Sequence, residues 1–312
     1  MGVSRSFLNR LASALPGGYS ADSAPASEPT AWAAIALAEA GSLGPARKAC
    51  DWLARVQQRT GAVGVTADQD LPAWPTSLAI LAWQTYDAHA QGKHYQANID
   101  AAVAWALNTS GRTVERKPQI GHDTTLVGWS WAPDTHSWLE PTAMFIRALY
   151  AAGHATHPRT LEATRMIVDR LLPTGGANYG NTRVLDQYLL PHVQPTGLAM
   201  WALAAAGPDS LEGRDPRIGA SLDYLQAAIA RPLGVASAAY AVMGLRSHGR
   251  QSGEIDALLQ SLAERSLRER SPYKMALVAA ATQTCVRPEA NGGAASNPPS
   301  HNATSNTTAA PA

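Results

Sequence analysis

Charge, thiols and phenylalanine are all scarce in this chain. Of its 312 residues only 16% are Asp, Glu, Lys or Arg, and 25 basic side chains stand against 24 acidic ones. A formal net charge of +1 supplies no concentrated basic surface, so nucleic acid is not an expected partner. Two cysteines, Cys50 and Cys285, cannot build a disulfide framework and fit a reducing, cytoplasmic setting. No apolar run reaches the ~18 residues of a membrane span; the stretch from Leu198 to Gly207 has the length of a core helix. Met1 to Arg10 carries two arginines with no long apolar segment behind it, which predicts no secretory signal.

What the chain has is apolar surface, alanine and internal repetition. Hydrophobic residues make up 46% of it, which favours close helix packing over a solvated coil. Four segments open on proline and a hydroxyl residue or its equivalent: Pro29-Thr30, Pro75-Thr76, Pro141-Thr142 and Pro195-Thr196. Each continues into an apolar, Ala-rich run. Three of the runs end at the same offset in a glycine, at Gly41, Gly153 and Gly207. Ala238 to Gly249 is a fifth copy without the proline, and Pro272-Tyr273-Lys274 begins a sixth. Proline suits the first turn of a helix and glycine its C-terminal end, so each unit predicts a short helix. Being apolar on every side, such helices must be surrounded by others.

Amphipathic segments alternate with these: Ser4 to Leu15, Pro45 to Thr60, Ala97 to Asn108, Thr160 to Leu172, Pro216 to Ala230 and Glu254 to Arg268. Six pairs predict an all-α (α/α)6 toroid, apolar helices inside and amphipathic ones outside. An open solenoid of helix pairs is the alternative. One domain over residues 1–285 is expected, followed by a disordered Asn/Ser/Thr/Pro/Ala-rich tail over 286–312. Thr109 to Ser137 interrupts the rhythm with Gly111, Pro118, Gly121, Gly128 and Pro133, and long insertions of this kind are often functional.

The end of the first amphipathic helix, Trp52-Leu53, then Gln57, Gly61 and Val63, resembles the QW repeat of squalene and hopene cyclases, with Val63 where the repeat has its last tryptophan. With the six-pair rhythm, the chain resembles the prenyltransferase and squalene-cyclase repeat family, whose fold is an (α/α)6 toroid. The resemblance implies catalytic groups at the starts of inner helices, facing a central cavity. Where the cyclases carry D-x-D-D-T-A, this sequence reads Trp138-Leu139-Glu140-Pro141-Thr142-Ala143: one acid where the motif has several. Glu28 takes the equivalent place before Thr30. The D-x-C zinc motif of the protein prenyltransferases is absent, as are C-G-E-Q and D-D-x-x-D, so neither a metal nor a cofactor is expected.

The resemblance and the polar residues together give three readings. The first is a toroid binding a hydrophobic, isoprenoid-like ligand in a mostly apolar central cavity. In it Glu140 would act as general acid beside Asp123 and His136, with Trp129, Trp131 and Trp138 as aromatic walls. The second is a non-catalytic scaffold with a protein partner. The third is polysaccharide cleavage by carboxyl pairs such as Asp68 and Asp70. Tyr179 and Asp186, in a Gly/Asn-rich turn region, are further candidate ligand contacts. Peripheral contact with a membrane is expected if the ligand is a lipid.

Overall fold

The computed structural model describes residues 2–117, 119–207, 210 and 212–284. Cys285, Pro118 and the tail expected over 286–312 lie outside the described residues. Twelve α-helices run through the described chain: α1 (Arg5–Ser13), α2 (Ser27–Glu39), α3 (Leu43–Val56), α4 (Thr76–His89), α5 (Gln96–Asn108), α6 (Leu139–Ala151), α7 (Pro158–Asp169), α8 (Val193–Ala206), α9 (Pro216–Ile229), α10 (Val235–Ser247), α11 (Gly253–Arg268) and α12 (Pro272–Gln283). Two strands of two residues each, β1 (Arg183–Val184) and β2 (Gln187–Tyr188), pair antiparallel before α8.

The even-numbered helices are the apolar ones, and they pack in sequence: α2 on α4, α4 on α6, α6 on α8, α8 on α10, α10 on α12. The ring then closes, because α12 packs on α2 and α1 touches both. Closure excludes the open solenoid. Each odd-numbered helix lays its apolar stripe on the inner helices beside it, and its charged side faces water. The molecule is an α/α toroid.

Proline and threonine recur at the starts of α2, α4, α6 and α8 for a reason that sequence reasoning did not reach. In none of these helices does a side chain cap the helix's own N-terminus. The buried threonine hydroxyl instead grips the loop before the helix by accepting from a backbone N–H there. Its proton goes to the same residue's carbonyl from Thr30 and Thr142, but to the nearer carbonyls of Ala73 (2.7 Å) and His192 (2.6 Å) from Thr76 and Thr196. Thr30 holds Gly17, Thr76 holds Val63, Thr142 holds Trp129 and Thr196 holds Ala177. Each latch satisfies two backbone groups that would otherwise be stranded under the ring. In the first three the partner lies thirteen residues upstream. Gly41, Gly153 and Gly207 fulfil the other half of the repeat. Their φ angles are +73°, +82° and +78°, while an added Cβ would meet nothing within 4 Å. Glycine is required there by backbone conformation and not by space.

The QW-like segment also does structural work. Gln57 donates to the Gly61 and Asn98 carbonyls at 3.0 and 2.9 Å and accepts from Asn98 at 2.6 Å, tying the end of α3 to the start of α5. Gly61 packs so closely on the Ala101 backbone that a Cβ would stand 2.1 Å from its carbonyl oxygen.

The middle of the ring is not hollow at mid-height. α2 and α8 stand three places apart in a ring of six, hence on opposite sides of the axis. Trp32 of α2 nevertheless meets Trp201 of α8 at 5.5 Å between ring centroids, and Tyr240 of α10 lies 6.0 Å from Trp32. Where the sequence predicts a mostly apolar central cavity, the axis holds these rings and, near the C-terminal ends of the inner helices, a space of about 100 Å³ lined also by Glu39, Arg147 and Gln283. Small alanine-rich faces let the helices approach until three large rings fill the axis.

Candidate functional site: an axial carboxyl cluster and a loop cavity

Two polar sites occupy the N-terminal end of the inner ring. The first lies at the axis. Glu28, in the first turn of α2, is buried with 7% of its surface exposed. Its Oε2 accepts from Tyr19 at 2.8 Å, and its Oε1 accepts from Tyr240 and Tyr273 at 3.2 and 3.1 Å. Glu140, in the first turn of α6, is 4% exposed, and its Oε1 accepts from the Gln194 amide at 3.0 Å. Burial raises the pKa of Glu28, and the three tyrosine hydroxyls pull it back down. Burial also pushes Glu140 up to about 7, with the Gln194 bond opposing and the nearby Glu28 carboxyl adding to the rise.

Those values bear on chemistry. A carboxyl with a pKa near 7 holds a proton close to neutrality and can pass it to a heteroatom. It is a weaker acid than a free carboxyl, whereas protonating an alkene demands a stronger one. Tyr19, Tyr240, Tyr273 and Gln194 were not singled out in the sequence as site residues. The available signal was Gln194, which precedes Pro195 as Glu28 and Glu140 precede Pro29 and Pro141 in their own repeats.

The second site is a cavity of about 410 Å³ between the insertion before α6 and the β1–β2 hairpin before α8. Its apolar walls include Val114, Ile120, Leu126, Trp138, Val184 and Leu185; its ionisable lining is Arg112, Arg170, Arg183, His122 and His136. Local folding explains the shape. The insertion is pinned at its base by Gly111 N–H to the Gly128 carbonyl (2.9 Å) and by Arg159 of α7. The Arg159 guanidinium donates to the carbonyls of Thr109, Val127 and Gly128. The hairpin turns at Leu185 and Asp186, both with positive φ (47° and 60°), as a tight two-residue connection requires. It leaves Val184 and Leu185, which line the cavity, 45% and 92% exposed. Exposed apolar groups clustered on one rim mark an interaction surface.

The sequence-expected residues divide between these places. His136 and Trp138 line the cavity. Glu140 belongs to the axial cluster and not to the cavity. Asp123 faces neither: its carboxylate accepts from the Thr125 backbone and hydroxyl and lies 3.7 Å from Arg116. The expected trio of Glu140, Asp123 and His136 therefore falls into three separate networks. Trp129 is a core residue, 1% exposed. It donates from Nε1 to the Ala106 carbonyl at the end of α5, stacks on Phe145 at 4.9 Å and carries the Arg159 cation at 4.6 Å. Trp129 precedes its latch threonine by the same thirteen residues as Val63, so the ring covers a helix end and is not a cavity wall.

Trp131 packs edge-on to Trp74 at 4.8 Å. Asp68 is solvent-facing, bonded to Thr66, and Asp70 lies exposed in the same loop with its carbonyl accepting from Gln58. Tyr179 is exposed against His192, and Asp186 pairs with Arg183 at the hairpin tip. Among the described residues no group of three or more His, Cys, Asp or Glu is placed to hold a metal ion, and no helix is long and apolar enough to cross a membrane.

No family model matches the sequence, and no curated protein matches it either. Solved structures do match the fold. A type II terpene cyclase from Scytonema, bound to geranylgeranyl dihydroxybenzoate, superposes with a TM-score of 0.59 at 14% identity, covering 89% of this chain and 96% of that one. An inactivated α-1,6-mannanase from Salegentibacter, bound to α-1,6-mannotriose, gives 0.58 at 9% identity, with coverage of 89% and 97%. An α-amylase from Clostridium perfringens gives 0.56 at 9%, covering 83% and 86%. At these identities the likeness is one of fold: this chain shares the α/α toroid with a terpene cyclase and with glycosidases alike.

Proposed function

We propose that this chain is a binding toroid for a hydrophobic, isoprenoid-like molecule, and that the molecule lies in the loop cavity beside Trp138 instead of on the axis. The observation that carries this reading is the contrast in room. The loop cavity has about 410 Å³, within the roughly 300–1,000 Å³ of small-molecule sites, while the axial space beside Trp32 and Trp201 has about 100 Å³. The exposed apolar rim of the hairpin supports it further, since it offers an apolar ligand a continuous path from solvent. The QW-like segment and the proline-threonine repeat favour descent from the prenyltransferase and squalene-cyclase repeat proteins. The missing acidic motif, together with the raised pKa of Glu140, argues against alkene protonation here.

Calorimetric titration with farnesol tests the reading. Saturable binding that is lost in Leu126→Asp, a variant checked for retained helicity, supports it; binding unaffected by that change overturns it.

One observation favours a second reading. A buried carboxyl with a pKa near 7 suits proton transfer to a glycosidic oxygen. Release of reducing ends from an α-mannan by the wild type but not by Glu140→Gln would establish sugar cleavage. Absence of release from a panel of polysaccharides would remove it.

A further inference from the structure

The charge around the loop cavity has one sign. Every ionisable side chain in its lining is an arginine or a histidine, although the chain as a whole carries a formal charge of only +1. The nearby acids answer only two of these arginines, Asp186 pairing with Arg183 and Asp169 with Arg170, while the Asp123 carboxylate is held by Thr125 beside Arg116.

The three arginines are not equivalent. Arg170 is buried and answered, donating to Asp169 at 2.7 Å and to the Asp123 carbonyl at 3.1 Å. Arg183 is answered by Asp186. Arg112 is exposed, and its side chain makes no ion pair among the described residues. His122 adds no cation, since burial and then the neighbouring Arg170 charge hold its pKa at about 4.

We propose that the cavity selects an amphiphile with an oxyanion head, a carboxylate or a phosphate monoester, the head paired with Arg112 and the tail lying on the apolar walls. This rests on the cavity reading above and adds the chemistry of the ligand's head. A guanidinium presents a planar fork that matches both oxyanions. Val114, Leu126 and Trp138 around it lower the local polarity and strengthen the pairing. A neutral ligand of the same length would forgo that pairing and leave Arg112 to water.

The test compares dodecanoate, dodecyl phosphate, dodecanol and inorganic phosphate by calorimetry at low ionic strength, each amphiphile below its micelle concentration. Both anionic amphiphiles should bind on the order of tenfold or more tighter than dodecanol. Arg112→Gln, at an exposed position, should erase that advantage, bringing both anionic amphiphiles to within about twofold of dodecanol measured on the same variant. Equal affinity for all three tails overturns the inference and leaves the cavity reading standing. Inorganic phosphate binding as tightly as dodecyl phosphate overturns the amphiphile. Failure of all three tails to bind overturns the cavity reading itself. Anion binding that survives Leu126→Asp shows contact elsewhere on the surface and overturns the proposal too.

Discussion

The axial carboxyl cluster and the loop cavity sit at the same end of the same ring, and they differ in what answers their charge. At the axis, both oxygens of Glu28 are taken by tyrosine hydroxyls, and Glu140 is held by Gln194. In the cavity, Arg112 is exposed and apolar side chains on the hairpin face water. A buried polar group satisfied from within is a fixture of the fold; an exposed charge beside apolar walls, with no ion pair among the described residues, leaves room for a ligand. By that criterion the tempting acid at an inner-helix start is a fixture. The less regular loop is the site we propose.

The comparison breaks if disturbing the wrong place abolishes binding. Leu126→Asp puts a carboxylate in the cavity wall and should weaken farnesol binding by roughly 100-fold, about 2.7 kcal/mol, in calorimetry. Glu140→Gln should leave the same affinity within about twofold, since its carboxyl does not line the cavity.

Glu140 should show itself in stability instead. Its folded pKa, about 7, lies above its ordinary value of 4.5, so the folded chain binds the proton more tightly than the unfolded chain does. Its contribution is fully present below pH 4.5 and is lost as pH rises through 7, amounting to roughly 3 kcal/mol at most. Glu28, raised in the same direction, adds to the slope. Thermal melts from pH 4.5 to 7.5 should therefore fall less steeply in Glu140→Gln than in the wild type. Parallel slopes would mean that Glu140 is not buried as described.

The same contrast grades the threonines. Thr142→Val strands the Trp129 backbone beneath α6 and should cost about 2 kcal/mol by denaturant unfolding. Thr135→Val, at an exposed hydroxyl of the insertion, should be close to neutral. A smaller cost than that of the latch belongs to the helix ends. Gly153→Ala forces an alanine to φ +82° with open space around it and should cost about 1 kcal/mol.

The fold was legible because periodicity reports it. Runs apolar on all sides can only be inner helices, and charged stripes such as Arg47, Lys48, Asp51 and Arg55 can only face water. Closure was legible more weakly, from the number of pairs. The threonine latches were not, because each bonds to a loop whose path the sequence does not fix. The tyrosines around Glu28 escaped for a similar reason: Tyr240 and Tyr273 reach it across more than two hundred residues. Within the insertion, the sequence pointed to a segment that lines a cavity, but it did not separate the residues that face the cavity from those that do not. His136 and Trp138 line the cavity, whereas Trp129 went to the core and Trp131 to Trp74. A loop has no period to say which side of it faces inward.

The most direct test is a crystal structure with farnesol soaked or co-crystallised, read by difference density. The account predicts a ligand between the insertion and the hairpin, against Trp138 and Leu126. Density on the axis between Glu28 and Glu140, with Trp32 and Trp201 moved apart to admit it, would contradict it.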